Sequence, residues 1–228
     1  MTTILAFETS TPVCSVALQT GGHSYAETQT GTGIHSEAVF VSAEKLLHRA
    51  GLSFKEVGAV VISGGPGSYT GLRISSAAVK GMLFNMAARF YAADTLASIA
   101  VGIVNRNKDG AARPQRIHAV LNARRTHLYH QIFCSKNEIG LVPQSTAAVR
   151  SLDQIAGLIA GQDVIAGTGT ARLNLPESLK STVEIVSDEA AVHAGHLIEM
   201  LVSPAYKSWV READPEKFEP LYALPDAE

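Results

Sequence analysis

A glycine-rich stretch at Ser63–Gly71, with the sequence SGGPGSYTG, contains residue types that could bind an anion. It follows the apolar run Val57–Ile62, which predicts a strand, and it precedes a helical pattern at Leu72–Phe90. Backbone N–H groups at the start of such a helix favour a phosphate group. We therefore interpret the stretch as a nucleotide- or anion-binding turn formed by Gly64, Gly65, Gly67 and Ser68.

The same stretch differs from the phosphate loops that support phosphoryl transfer. It lacks their GK[ST] ending, and no lysine follows its last glycine. A purely structural role also accounts for its residues, because Ser68 or Thr70 could cap the following helix and Gly71 could permit close packing. The stretch could therefore bind an anion without catalysing a reaction, or it could have only a structural role.

A second polar turn follows the first apolar segment of the chain. Thr3–Phe7 predicts a buried strand, and Glu8, Thr9 and Ser10 come directly after it. Hydroxyl and N–H groups at this position could hydrogen-bond a phosphate oxygen, and the carboxylate could hold a metal-bound water. The alternative is a polar strand end, broken by Pro12, that binds nothing.

The other residue types that carry enzyme chemistry are scattered along the chain. The 8 histidines show neither an HExxH motif nor the spacing of a helical metal pair, and Cys14 and Cys134 have no CxxC spacing. No serine stands in a GxSxG motif. The sequence therefore predicts no catalytic residue, no metal site and no cofactor.

Composition restricts the class of protein. Apolar residues make up 46% and charged residues 18% of the 228 residues, which suits one large domain or two lobes. The formal net charge of −2 disfavours a protein that holds nucleic acid on its own. The first residues lack the features of a signal peptide and no apolar run could span a membrane, so we expect a cytoplasmic protein.

The pattern of predicted elements occurs twice. The first half predicts three strands, a helix, a strand and a helix, at Thr3–Phe7, Cys14–Leu18, His23–Gln29, His35–Ala50, Val57–Ile62 and Leu72–Phe90. The second half repeats this order at Ile117–Leu121, His127–Phe133, Leu141–Thr146, Ser151–Ile159 and Asp163–Ala166, followed by a second glycine turn at Gly167–Thr170. Two β-β-β-α-β-α units are the architecture of the actin-like (RNase H-like) ATPases, so we predict an α/β fold of duplicated lobes with mixed sheets and flanking helices.

A polar stretch at Asn105–Arg116 separates the two repeats. It contains glycine, proline and several basic residues, which is typical of a linker. The sequence therefore predicts an N-terminal lobe at residues 1–104 and a C-terminal lobe at residues 117–228. We expect the last residues to pack back on the N-terminal lobe.

The predicted helix Leu72–Phe90 is apolar around most of its circumference. A helix that covers one sheet face needs a single apolar stripe, so either the C-terminal lobe or a partner protein must cover its other side. Methionines and alanines suit a close contact with a partner, which we favour. The predicted interface, on this helix and on His35–Ala50, comprises Val41, Glu44, His48, Ala78, Met82 and Met86.

Four segments, ILAFETSTPVCSVAL, HSEAVF, VISGGPGSYTGLRIS and LNARRTHLYHQIF, resemble the bacterial TsaB (YeaZ) family. The resemblance spans roughly the first 135 residues, and GGPGSYTGLRIS is its most specific element. It implies a two-lobed, non-catalytic relative of TsaD that pairs with TsaD and with the ATPase TsaE. Together these proteins would make threonylcarbamoyladenosine at position 37 of tRNAs that read ANN codons, with tRNA contacted through the complex.

The resemblance also implies how the partner binds. In the family, two N-terminal helices form a helical bundle with TsaD, or with a second copy in a homodimer when the protein is alone. The glycine turn is then an inherited, vestigial nucleotide site that positions a partner-binding helix. This sequence departs from the family at Glu8 and Asn122, where aspartate is more common, and at His127, where glutamate is more common.

Two other functions are compatible with parts of the sequence. An actin-like small-molecule kinase would use Ser63–Gly71 and Glu8 to bind ATP, although no acidic residue stands beside the turn Gly167–Thr170. A metallopeptidase would need clustered ligands that the sequence does not show. Measuring ATP hydrolysis and metal content of the chain alone, and its association with TsaD, separates the three hypotheses.

Overall fold

The N-terminal half forms a mixed sheet with three helices. The fold is described from a computed structural model, which covers residues 2–31, 33–84, 86–106, 116–124, 126–136, 140–187, 191–222 and 224–225. Strands β1, β2 and β3 are antiparallel neighbours and span Ile4–Glu8, Val13–Thr20 and His23–Thr30. Gly21 and Gly22 connect β2 to β3 with φ of 55° and 84°, the left-handed conformation that a tight hairpin turn requires.

Two parallel strands extend this sheet on the other side of β1. They are β4 at Ala59–Ser63 and β5 at Arg89–Ala93. Three helices belong to this half: α1 at His35–Arg49, α2 at Tyr69–Leu83 and α3 at Thr95–Arg106. The last strand of the chain, β12 at Val210–Glu212, pairs with β5 and completes the order β12-β5-β4-β1-β2-β3.

The C-terminal half repeats the arrangement. Its strands are β6 at Ile117–Arg124, β7 at His127–Lys136, β8 at Gly140–Pro143, β9 at Ala148–Ser151, β10 at Val164–Gly167 and β11 at Glu184–Val186. Its helices are α4 at Leu152–Leu158, α5 at Glu177–Lys180 and α6 at Ala194–Val202. The order β11-β10-β6-β7-β8 matches β5-β4-β1-β2-β3, and β9 pairs with β7. The predicted duplicated, actin-like fold is confirmed.

The two halves share one apolar core that lies between their sheets. Helix α3 packs on the C-terminal sheet, through β6, β7, β8 and β10, while α6 packs on β1, β2, β4 and β5 of the N-terminal sheet. Residue Gly102 of α3 contacts His196 of α6, where a side chain on the glycine would overlap the imidazole ring. Each half therefore supplies a helix that covers the other half's sheet.

The outer face of each sheet has its own apolar layer. In the N-terminal half, α1 and α2 cover the sheet, and Leu5, Phe7, Leu46 and Leu47 are completely or almost completely buried there. In the C-terminal half, Ile155 of α4 belongs to the smaller layer that covers β6, β7 and β10. The outer layer thus differs in size between the two halves, although the sheets correspond.

Some element boundaries differ from the sequence-based prediction. Helix α2 begins at Tyr69 and ends at Leu83, so the predicted single helix Leu72–Phe90 is wrong: its last residues belong to strand β5. Phe84 is the C-cap of the helix, and its backbone angles, φ −57° and ψ 121°, lie outside the helical region. The predicted linker lies for the most part outside the described residues, and Asn105 and Arg106 are the last residues of α3.

Candidate functional site

The two polar turns that the sequence singles out pack directly against each other. The Thr9 hydroxyl donates a hydrogen bond to the Gly71 carbonyl oxygen at 2.8 Å, and the Ser68 N–H donates to the Ser10 carbonyl oxygen at 2.7 Å. A Cβ atom on Gly67 would lie 2.6 Å from the Ser10 Cβ atom, so glycine is required for this close approach. The fold therefore brings Glu8–Ser10 and the glycine turn together at the carboxyl ends of β1 and β4.

Several N–H groups that were expected to face an anion are instead bonded within the protein. The Gly64 N–H donates to the Ala93 carbonyl oxygen at 2.7 Å, and the Gly65 N–H donates to the Thr95 hydroxyl at 3.1 Å. The Gly71 N–H donates to the Ser68 hydroxyl at 3.2 Å, which makes Ser68 the N-cap of α2. The structural role of Ser68 and the close packing of Gly71 are thus both present.

The Glu8 carboxylate points into the protein. Its side chain is 1% exposed, and the Ser10 N–H donates a hydrogen bond to its Oε1 atom at 2.8 Å. Burial raises the pKa of Glu8, and hydrogen bonds from Ser10 and Ser63 oppose that rise. Glu8 does not line the cleft described next, so the predicted role in holding a metal-bound water has no support from its position.

A cleft of about 290 Å³ lies between the two halves of the molecule, beside the glycine turn. Its lining includes Ser10, Thr11, Pro12, Gly31, Gly33, His35, Ser68, Thr70, Gly71 and Ile74 from the N-terminal half and Asn122 and Thr168 from the C-terminal half. This volume is just below the range of small-molecule sites, about 300–1,000 Å³. Among the described residues, no lysine, arginine, aspartate or glutamate lines the cleft, and the His35 Nε2–H donates to the Thr11 carbonyl oxygen at 2.8 Å. These described residues offer hydroxyl and amide groups but none of the charges that phosphoryl transfer uses.

The C-terminal wall of this cleft is also held by internal hydrogen bonds. The Asn122 N–H donates to the Thr168 hydroxyl at 3.1 Å, and the Asn122 side-chain amide donates to the Thr168 carbonyl oxygen at 2.8 Å. Arg172 donates from Nη1 to the Asn122 Oδ1 atom at 2.8 Å. Asn122 thus joins β6 to the second glycine turn and has few groups left for a ligand.

The C-terminal segment covers the other side of the first glycine turn, a contact that sequence patterns did not reveal in detail. The Leu221 N–H donates to the Gly64 carbonyl oxygen at 2.8 Å. Gly65 has φ 101°, and a Cβ atom there would collide with the Leu221 carbonyl group. The Tyr129 hydroxyl of β7 donates to the Tyr222 carbonyl oxygen at 2.9 Å, so the segment contacts both halves.

The exposed face of α1 and α2, which we call the α1–α2 surface, is partly apolar. Phe40 and Val41 of α1 are 44% and 58% exposed, and Phe84 at the end of α2 is 74% exposed. The surface also includes the exposed residues Glu44, His48, Ala77 and Gly81. The two helices contact each other, so these residues lie on one side of the N-terminal half.

The placement of the predicted interface residues is only partly correct. Val41, Glu44 and His48 are exposed, as expected, whereas Met82 and Met86 are half-buried and pack against the N-terminal outer layer. The prediction that Ala78 lies on an exposed face is wrong, because Ala78 is 4% exposed. Its small side chain fills space between α2 and the sheet, and the exposed residue beside it is Ala77.

A buried polar cluster in the C-terminal half has no counterpart in the predicted site. The His118 Nε2–H donates to the Asp163 Oδ2 atom at 3.0 Å, and the His118 Nδ1 and His130 Nε2 atoms are 3.1 Å apart. Burial lowers the pKa of His118, and burial together with His118, Arg150 and Arg116 lowers the pKa of His130 to about 2. Both imidazoles are therefore neutral at pH 7. Across the described residues, no three histidine, cysteine, aspartate or glutamate side chains are grouped in a way that could hold a metal ion.

Comparison with known proteins identifies the family. The TsaB protein of Escherichia coli K12, named as a tRNA threonylcarbamoyladenosine biosynthesis protein, is 30% identical over 126 residues, 55% of this chain and 52% of that protein. Its namesake in Haemophilus influenzae is 33% identical over 82 residues, 36% of this chain and 35% of that protein. The TsaD family model, described as tRNA N6-adenosine threonylcarbamoyltransferase, matches residues 30–208. The chain belongs to the TsaB (YeaZ) family.

Solved structures agree with the fold of the TsaB (YeaZ) family. YeaZ from Pseudomonas aeruginosa aligns with a TM-score of 0.76 at 22% identity and covers 97% of this chain and 100% of that one. A Pseudomonas aeruginosa protein described as similar to peptidase YEAZ aligns with a TM-score of 0.78 at 24% identity, over 97% and 99% of the two chains. At this identity the likeness shows the fold. The curated matches span about half and about a third of the first two relatives' lengths, 52% and 35%.

None of the helices within the described residues is long and apolar enough to cross a membrane.

Proposed function

We propose that this chain is a non-catalytic scaffold subunit in threonylcarbamoyladenosine biosynthesis and binds a TsaD-type protein through the α1–α2 surface. The observation that carries the proposal is the exposure of Phe40, Val41 and Phe84 on two adjacent helices. Aromatic and aliphatic side chains grouped on one face are characteristic of the core of a protein interface. Family membership supplies the pathway, because the relatives are named for it.

The shape of the α1–α2 surface suits helix packing. Ala77 and Gly81 are exposed and one turn apart on α2, and a Cβ atom on Gly81 would meet nothing within 4 Å. Small residues at this spacing let the axis of a second helix approach closely, with larger side chains at the edges. Phe84 stands at the end of this row and would insert between the partner's side chains.

The inter-lobe cleft supports a scaffold role over a catalytic one. Within the part of the chain that the structure describes, no carboxylate or lysine lines this cleft, and the nearby Glu8 carboxylate faces the interior. An actin-like kinase would need such groups to bind metal and stabilise phosphate charge. The glycine turn instead orients α2 through the Ser68 cap and the Thr9–Gly71 contact, so it positions the helix that the partner would meet.

The remaining parts of the proposal come from the family. The chain would act in the cytoplasm with a TsaD-type protein and a TsaE-type ATPase, on adenosine 37 of tRNAs that read ANN codons. It would contact tRNA through the complex, because its net charge of −2 does not favour independent binding. In the absence of TsaD, a second copy of the chain would occupy the α1–α2 surface and form a homodimer.

Reconstitution tests the proposal. TsaD-type and TsaE-type proteins from the same cell are incubated with an ANN-reading tRNA and an activated threonylcarbamoyl donor, with and without this chain. Modified tRNA is expected only when the chain is present, and the chain alone should neither modify tRNA nor turn over ATP. Ala77→Glu should abolish its support of the reaction while the folded protein keeps its circular dichroism spectrum. ATP turnover by the chain alone would instead favour the kinase.

A further inference from the structure

A groove of about 400 Å³ lies between α2 and the C-terminal segment. Its lining residues are Arg73, Ser76, Ala77, Lys80, Phe218, Glu219, Pro220 and Tyr222. Phe218 anchors one end, because its ring meets the Phe90 ring edge to face with centroids 5.1 Å apart. The groove is thus an open channel with one helical wall and one wall of extended chain.

The cation at one end of this groove is held in place by aromatic rings. The Arg73 Cζ atom lies 4.3 Å from the centre of the Tyr69 ring and 5.8 Å from the centre of the Tyr222 ring. The two tyrosine rings are themselves 4.8 Å apart, and the backbone of Tyr222 is fixed by the Tyr129 hydroxyl at 2.9 Å. A guanidinium that is already oriented loses less conformational entropy when it binds an anion.

Positive charge outweighs negative charge along the groove. Arg73 and Lys80 are seven positions apart on α2, which corresponds to about 10 Å along the helix axis. Within the described residues, neither has a carboxylate within the 4.0 Å of an ion pair, and both side chains are exposed. Glu219 is the carboxylate in the lining, and its charge acts on Arg73 from a greater distance.

We propose that this groove binds an acidic, extended segment of a partner protein, with carboxylates about three residues apart. An extended segment with polyproline II geometry has three residues per turn and advances about 3.1 Å per residue, so carboxylates with this spacing point to the same side and reach Arg73 and Lys80 together. The exposed Ala77 between the two cations leaves room for the backbone of such a segment. A peptide fits better than a nucleic acid, because RNA binding needs a wider basic surface than two cations on a chain of net charge −2.

Glu219 supplies an internal test of this inference. Its carboxylate lies in the same groove and is attracted to Arg73, so it competes with the carboxylates of an incoming segment. Removal of this charge should therefore strengthen peptide binding, whereas removal of either cation should weaken it. A groove that merely happened to be basic would not require this opposite response at Glu219. The inference goes beyond the proposed function: the groove shares Ala77 with the α1–α2 surface, but its cations Arg73 and Lys80 lie outside that surface, and its test uses no TsaD-type protein.

The experiment is a titration of the isotope-labelled full chain, followed by nuclear magnetic resonance, with a six-residue peptide carrying two glutamates three residues apart. We expect shifts in α2 and Phe218–Tyr222, with affinity about threefold to tenfold weaker for Arg73→Gln or Lys80→Gln and about twofold tighter for Glu219→Gln. Lys55→Gln, an exposed lysine outside the groove, should leave affinity unchanged. A glutamine version of the peptide should not bind.

Three outcomes would overturn the inference. Equal affinity for the glutamate and glutamine peptides would show that binding does not depend on the carboxylates. Equal effects of Lys55→Gln and Lys80→Gln on affinity would show that the peptide does not bind in the groove. Shifts of the same residues by a short single-stranded RNA, without shifts by the peptide, would assign the groove to phosphate. Lys80→Gln keeps the test valid even if Arg73→Gln loosens the C-terminal segment, because Lys80 makes no aromatic contact with that segment in the described structure.

Discussion

The two halves of this molecule share a sheet order but cover their outer faces differently. The N-terminal half carries α1 and α2, each of 15 residues, whereas α4 and α5 in the C-terminal half have 7 and 4 residues. Long helices in the N-terminal half bury one side and still present a second, partly apolar side to solvent. The short C-terminal helices provide a smaller cover and a less extensive surface.

The layer beneath the helices differs as well. Leu5 of β1 and Val16 of β2 occupy the places that His118 of β6 and His130 of β7 take in the other half. The N-terminal pair belongs to an apolar layer, while the histidines connect through hydrogen bonds to Asp163. The corresponding strands therefore specify the sheets, while the outer layers differ: one half has an exposed, partly apolar helix face and the other has a buried polar cluster.

The largest expected effect on stability comes from the polar cluster. Asp163→Ala removes the acceptor for the His118 Nε2–H and for the Ala160 N–H, which lies 2.8 Å from Oδ2. Loss of one partner in a buried polar network costs about 3 kcal/mol. Urea unfolding measures this loss, and Asp153→Ala in the exposed first turn of α4 is the control, with less than about 1 kcal/mol expected. Equal losses at both positions would show that the cluster contributes no more than a surface residue.

Each half has a glycine that lies too close to a backbone carbonyl for a side chain to fit. A Cβ atom on Gly71 would collide with the Thr9 carbonyl oxygen, and one on Gly167, which has φ 118°, would collide with the Val120 carbonyl oxygen. Gly71→Ala and Gly167→Ala should each destabilise the fold by about 2 kcal/mol in thermal or urea unfolding. Gly81→Ala, in open space on α2, should instead stabilise it by about 0.5–1 kcal/mol. A stable Gly71→Ala variant would contradict the close approach of the two N-terminal turns.

The buried His130 of the C-terminal outer layer should make the free energy of unfolding depend on pH. Because the folded-state pKa of His130 is lowered to about 2, the unfolded chain binds one more proton between about pH 6.5 and that value. Stability should therefore fall as the pH drops from 6 to 5, by about 1 kcal/mol from His130 alone. His130→Val, which copies Val16 of the N-terminal half, should start from a lower stability but lose this part of the slope. Val16→Ala, at the corresponding place in β2, should lower stability but leave the slope as in the wild type, because neither side chain titrates.

The smallest expected effect concerns the segment that joins both halves. Tyr129→Phe removes the hydroxyl that donates to the Tyr222 carbonyl oxygen, at a cost of about 1 kcal/mol. Amide hydrogen exchange should become faster at Leu221, whose N–H is bonded to Gly64. Exchange in β2 and β3 provides the internal control. Unchanged exchange at Leu221 would show that the C-terminal segment is held without this contact.

Local sequence patterns predicted most of the framework. Short apolar runs bounded by polar or glycine-containing breaks predicted β1, β2, β4, β6, β7 and β10, and the helical pattern at His35–Ala50 predicted α1. Ser151, the first residue of the predicted helix Ser151–Ile159, is the N-cap of α4, where its hydroxyl accepts from the Gln154 N–H. These features depend on residues close together in the chain, so one sequence contains enough information to find them.

Features that depend on distant residues were missed or misplaced. The run Leu72–Phe90 is largely apolar, and periodicity alone could not show that α2 ends at Leu83 and that β5 begins at Arg89. Ala78 and Ala77 have the same side chain, and only their direction on the helix separates a buried residue from an exposed one. The contacts of His118 with His130 and Asp163 connect β6 to β7 and to the start of β10. These residues are far apart in the chain, so their spacing in the sequence does not predict the cluster.

The central claim is that the α1–α2 surface, and not the corresponding face of the C-terminal half, binds a TsaD-type partner. Val41 on α1 and Leu158 on α4 are a matched pair, because they are aliphatic helix residues that are 58% and 41% exposed. The most direct measurement is the affinity of Val41→Glu and Leu158→Glu for the partner by isothermal titration calorimetry. We predict at least a hundredfold weaker binding for Val41→Glu, about 2.7 kcal/mol, and a change of less than about twofold for Leu158→Glu. Unchanged affinity of Val41→Glu, or a larger loss with Leu158→Glu, would contradict the account.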